Sequence, residues 1–140
     1  GECEAAMHFA SLVGRKFSFL IPGSITGSKR GGDGAYFIED LARKYGLIQK
    51  LSSIRSVSAA TLDYAKQKAN LKNEMLLQAQ KAIDEDGADS IIGYGSLDII
   101  TFLQRNLKVP VIEPVRSTVT FVESLIKLRL THSKRTFPNP

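Results

Sequence analysis

Short runs of bulky apolar residues alternate along this chain with longer stretches in which apolar side chains recur every third or fourth position. "KFSFLI" (16–21), "LSSIRSV" (51–57), the "II" at 91–92 and "VPVI" (109–112) are the short runs, and they read as buried strands. Residues 4–13 place Ala6, Phe9, Ala10 and Val13 at helical spacing, a second stretch places Phe37, Leu41 and Tyr45 on one face, and a third repeats Leu71, Met75, Ala79 and Ala82 up to residue 86. Residues 97–107 and 118–130 complete the helices. Gly14, Gly46 and Gly87 stand where three of these helices must stop, and Asp33 and Ser96 stand as caps where two begin.

Helix and strand alternating in this way is the mark of a parallel sheet covered on both faces. The pattern predicts an α/β fold, a three-layer sandwich whose four-stranded, mainly parallel sheet is flanked by helices and joined by right-handed crossovers. Residues 1–130 are expected to form a single domain, with 131–140 as a tail along its surface. The carboxyl ends of the strands then gather 22–34, 55–58, 94–98 and 113–117 on one edge, the default ligand site of such a sheet.

Within that edge, "GADSIIGYGSLD" (87–98) delivers a strand into Gly-x-Gly-Ser and then a helix, which presents backbone N–H groups and a hydroxyl to a crevice. Tyr94 is a candidate general acid and, with an ordinary pKa of about 10, a poor base. Gly95 and Ser96 are candidate substrate contacts, Ser96 being also the expected cap of the helix that follows. Arg55, at a strand end, is suited to a substrate carboxylate, or to Glu113 or Asp98. Ser24, with Thr26 and Ser28, lies in a glycine loop suited to an anion or simply to the surface. His8, His132 and Cys3 read as structural side chains, and no spacing suggests a metal site.

Composition narrows the classes further. A single cysteine in 140 residues excludes an internal disulfide framework and any mechanism that needs two thiols from this chain. The net charge of +5 is spread unevenly, but no aromatic platform or recognised motif accompanies it, so the expected partner is a small anionic substrate and not nucleic acid. No apolar stretch approaches the roughly 20 residues of a membrane span, and no leader pattern opens the sequence, so the expected setting is the cytoplasm, away from any membrane.

"GECEAAMHFASLVGRKFSFL", "IEDLARKYGL", "IRSV", "AIDEDGADSII", "VPVIEPV" and "LTHSKRTFPNP", in that order and spacing, resemble the second half of an aspartate/glutamate/hydantoin racemase over essentially the whole chain. The resemblance implies one lobe of a two-lobe, cofactor-independent isomerase acting on a small amino acid, hydantoin or related carboxylate, and a homo-oligomer or a missing N-terminal lobe to cover its cleft. It implies two cysteines, one from each lobe, so that a thiolate removes a carbon-bound proton on one face while a thiol returns one on the other. The first of these falls before Gly1. The second belongs in "GYGSL", where aligning the glycines puts Tyr94 in its place and aligning from Asp89 without a gap puts Gly95 there. The threonine pair expected after "FSFL" is replaced by Ile21 and Pro22. The chain is therefore expected to lack racemase activity on its own, either as part of an enzyme or as a catalytically silent relative that binds a small anionic metabolite. The last helix is expected to lie against the other lobe, leaving Val119, Val122 and Ile126 exposed here.

Overall fold

Phe17, Phe19 and Leu20 have almost no accessible surface, and the strand that carries them sits in the middle of the sheet. A computed structural model describes residues 1–22, 32–57 and 64–138. Strands β1 (Phe17–Pro22), β2 (Leu51–Val57), β3 (Ser90–Gly93) and β4 (Val111–Ile112) form one sheet in the order β2-β1-β3-β4. Every pairing is parallel: Phe19 lies opposite Ile54 on one side and Ile92 on the other, and Ile92 lies opposite Ile112. Both faces of the sheet are covered, which is why the central strands read as unbroken apolar runs and not as alternating ones.

Helices α1 (Glu2–Val13) and α2 (Gly32–Lys44) close one face through Cys3, Ala6, Met7, Ala10, Ile38 and Ala42. Helices α3 (Tyr64–Asp86) and α4 (Leu97–Asn106) close the other through Met75, Ala79, Ala82, Ile99 and Leu103. Right-handed crossovers account for this division. The chain steps from β1 to β2 in one direction through α2, then past β1 to β3 and β4 in the other through α3 and α4, and a change of direction requires a change of face. The strand order thus reverses between β1 and β3, and that is where an open parallel sheet leaves a crevice at its carboxyl edge.

Gly46 and Gly87 adopt φ of +74° and +73°, the left-handed conformation that ends α2 and α3. At the amino edge, Asp89 pins β1 to β3: its carboxylate accepts the amides of Arg15 and Lys16, each at 2.9 Å, and its own amide donates to the Lys16 carbonyl. Gly14 is required beside it, because a Cβ there would stand 2.5 Å from Asp89 Oδ1.

The elements depart from the sequence reading at several ends. On α2 the buried stripe is Ile38 and Ala42, with Leu41 and Tyr45 partly covered, while Phe37 is 59% exposed. Helix α3 begins at Tyr64 because the polar "YAKQKAN" continues the helix without an apolar face to announce it. The last strand is confined to Val111–Ile112. Helix α5 spans Pro114–Lys127, four residues earlier at its start than its apolar pattern suggests, because the Glu113 carboxylate accepts from the Val115 and Arg116 amides and Pro114 takes the first turn. A 3-10 turn at Ile48–Lys50, unmarked in the sequence, leads into β2.

Helix α5 packs on α1, not on the sheet, through Phe121, whose ring stacks on His8 at 6.4 Å and meets Phe9 edge-on at 5.4 Å. Its other stripe, Val115, Val119, Val122 and Ile126, is about half or more exposed, as expected for the last three. Among the described residues no helix is long and apolar enough to cross a membrane.

Candidate functional site

A helix that precedes a parallel strand runs antiparallel to it, so the first turn of α1 comes to the carboxyl edge of the sheet. Tyr94, the residue after β3, turns toward that first turn. Its ring lies 6.2 Å from the ring of Phe19, its hydroxyl is 3.5 Å from Cys3 Sγ, and the same hydroxyl donates to Glu2 Oε2 at 3.3 Å. Glu2, Cys3, Phe37, Leu41, Tyr45 and Tyr94 line a cavity of about 290 Å³ here. Burial, together with the Cys3 hydrogen bond and the nearby Cys3 and Glu2 charges, raises the Tyr94 pKa far above its ordinary value. Burial likewise raises that of Tyr45, with help from Glu4 and Cys3. Both phenols are therefore neutral in ordinary buffers, able to donate a hydrogen bond and unable to serve as phenolate bases.

The other residues singled out from the sequence are placed differently. A Cβ on Gly95 would come within 3.0 Å of Ile99 and 3.4 Å of Ile100, so position 95 faces α4 and has no room for a side chain, whereas position 94 faces the cavity. Ser96 stands at the N-cap of α4, but its hydroxyl does not cap the helix; it donates to Asp98 Oδ1 at 2.5 Å. Asp98 is in turn bound by Lys68 at 2.8 Å and Lys72 at 3.3 Å, and those ammonium groups hold its carboxyl well below the usual range. Arg55 contacts neither Glu113 nor Asp98. Its guanidinium grips Asp86 at 2.7 and 3.0 Å and Glu85 at 2.9 Å, at the end of α3 that leads into the amino edge of β3. Ser24 lies outside the described residues.

Ser56 contributes an observation that the sequence does not announce. Its hydroxyl is buried without a hydrogen-bond partner, and its register partner is Ile21, which belongs to the core beneath α1 and α2. Residues paired across parallel strands share a face, so this oxygen lies on the Tyr94 side of the sheet, two strands away, or roughly 10 Å. A second cavity, of about 360 Å³, runs between α1, β4 and α5, but its carboxylate, Glu113, is committed to capping α5.

No family model matches the chain. It is 31% identical over 96% of its length to the hydantoin racemase of Paenarthrobacter aurescens and 29% identical over its whole length to that of Pseudomonas sp. (strain NS671), covering 54% of each. Its fold superposes on the crystal structure of allantoin racemase from Pseudomonas fluorescens with a TM-score of 0.79 at 29% identity, covering 99% of this chain and 57% of that one. Allantoin racemase from Klebsiella pneumoniae gives a TM-score of 0.72 at 28% identity, covering 96% of this chain and 52% of that one. The chain is similar to racemases of the aspartate/glutamate/hydantoin family.

The chain spans about half the length of the curated relatives it matches. The residues of its cavity that the sequence reading passed over are Glu2, Cys3 and the α2 side chains. Cys3 reads as a core thiol because it shares a helical face with Ala6, Met7 and Ala10. The signal that places it at the edge is topological, since only the direction of α1 relative to β1 brings its first turn beside Tyr94.

Proposed function

We propose that this chain is a member of that racemase family and supplies one wall of a cofactor-independent active site that moves a proton at an acidic carbon of a small ring or carboxylate, in the cytoplasm. The relatives are named for hydantoin and allantoin, both five-membered ureide rings with a carbon-bound hydrogen next to a carbonyl, and such a ring is the substrate class adopted here. The observation that carries the reading is Tyr94, a half-buried and neutral phenol in the cavity at the reversal of strand order. By turning its one O–H away from Glu2, such a phenol donates a hydrogen bond to the enolate oxygen that forms when the carbon loses its proton. Inversion needs an acid and a base on opposite faces of the carbon, and this chain offers one side. A second lobe or a second copy of the chain, seated on the exposed stripe of α5, supplies the other.

The expected result with this chain and an enantiopure 5-substituted hydantoin in deuterium oxide is deuterium uptake at C5 without loss of optical rotation. Proton NMR and polarimetry read the two quantities separately. Racemisation by this chain as a monomer would overturn the one-sided arrangement. Calorimetric binding of the hydantoin with no deuterium uptake would instead favour a catalytically silent relative that binds a small anionic metabolite, a reading that the same neutral phenol supports because it is no base.

A further inference from the structure

Helix α5 meets α1 through Phe121, and the residues on its opposite side form an apolar stripe. Val115, Val119, Val122 and Ile126 make up that stripe and are 49%, 54%, 50% and 68% exposed. Their spacing of four, three and four residues is the seam along which two helices pack side by side. All four are β-branched, a choice that weakens a solvated helix and suits the seam of a two-stranded pair. Arg116 and Glu123, both exposed, stand one heptad apart on one flank of the seam, and among the described residues neither is held in an ion pair. Leu125, 45% exposed, extends the apolar surface on the other flank. The edge strand across the groove from α5 offers a second copy no such opening. On the outer side of β4 the Gln104 side-chain amide accepts from the Val111 amide at 2.9 Å and donates to the Val109 carbonyl at 3.3 Å, the two bonds that a residue of a further parallel strand would make.

We propose that a second copy of this chain covers the stripe, its α5 running antiparallel to the first across a two-fold axis. Charge selects both the occupant and the orientation. In an antiparallel pair the like flanks of the two seams face each other, so Arg116 of each copy lies beside Glu123 of the other, and the symmetry makes this ion pair twice. The seam closes on itself in the same register, with Val119 against Val122 in the middle and Val115 against Ile126 at the ends. A parallel pair would forfeit both ion pairs and crowd Lys127 and Arg129 of one copy against those of the other. It would also align the two helix dipoles, which the antiparallel pair opposes. Helix α5 has 14 residues and is about 21 Å long, so the contact belongs to the small, reversible class that buries less than about 1,200 Å². A dissociation constant of about 10–100 μM is expected. This pairing rests on helix geometry and charge and not on the proposed chemistry, and it makes the second copy the occupant of the stripe.

Sedimentation equilibrium of the chain from about 1 to 300 μM at low ionic strength tests the pairing, with folding followed by circular dichroism and the urea midpoint. The wild type is expected to form a reversible dimer within that range. Val119→Glu, which puts a carboxylate into the middle of the seam, is expected to weaken the dimer about 30-fold or more while the fold is unchanged, because the position is exposed in the single chain. Arg116→Glu and Glu123→Arg each set like charges side by side and are expected to weaken it about 3–10-fold, and the two together are expected to restore it to within about threefold of the wild type. A wild-type monomer across the range, a dimer that Val119→Glu leaves intact, or a double variant as weak as the single ones overturns the proposal. Deuterium uptake at C5 measured well below the dissociation constant reads the chemistry of the single chain, so the pairing and the proposed function fail separately.

Discussion

Replacing Phe19 with alanine is expected to lower the unfolding free energy by about 3–5 kcal/mol, measured as a fall in the urea midpoint at unchanged slope. Phe19 has no accessible surface and lies on the central strand, opposite Ile54 and Ile92, beneath the helices of the first face. No neighbour can collapse into the space left behind, because both flanking strands are fixed by their own ladders, and a cavity that persists adds to the lost transfer free energy. The same substitution removes the wall behind Tyr94, so deuterium exchange at C5 is expected to fall in the protein that remains folded. Phe19→Leu, which keeps much of the volume, is expected to lose about 1–2 kcal/mol. Equal losses for the two substitutions would show that the site relaxes and that packing there is not rigid.

Asp89→Ala is expected to cost about 1–3 kcal/mol, because it removes the charged acceptor of two backbone amides, those of Arg15 and Lys16, at the turn that starts β1. The effect carries a pH signature. Burial by itself would raise the Asp89 pKa, but hydrogen bonds from the Asp89, Arg15 and Lys16 amides, together with the Arg15 charge, hold it below the ordinary value of 3.8. A carboxyl with a depressed folded-state pKa contributes stability that is fully present above its unfolded pKa and is lost as pH falls through the folded one. Wild-type stability should therefore decline below about pH 4, and part of that decline should be missing in Asp89→Ala. Parallel stability–pH curves for the two proteins would count against this account. Asp86, held low by Arg55, contributes a decline of the same sign in both proteins and so does not obscure the difference.

The sheet was legible because burial on both faces leaves a mark in single residues: β2 is read with the bounds it has, and β1 within a residue. Ends set by capping or by polar helix were not. Helix α3 extends seven residues before its apolar pattern, and α5 begins where a carboxylate and a proline cooperate, a combination that looks like the end of a strand. The place of Tyr94 at the carboxyl edge was legible because a strand running into Gly-x-Gly points at an edge. Its partners were not, because Cys3 looks like core and Glu2 looks like surface, and their meeting depends on which way α1 runs. Arg55 shows the converse. A cation at a strand end suits a ligand, yet local chain geometry offers it Asp86 and Glu85 first.

The central position of β1 also governs when the molecule can fold. Residues 17–22 are made before both neighbours of this strand, 51–57 on one side and 90–93 on the other. A nascent chain that has reached residue 57 can form one ladder and has covered one face, leaving Leu20 and the rest of the second core without α3 or α4. Loop closure over these separations must come before most of the burial that rewards it, so the sheet is expected to form only after residues 90–93 have been made, and slowly for its size. During that interval the unpaired side of β1 is an apolar strand edge, and "FSFLI" is the segment that a chaperone, or another nascent copy, meets first.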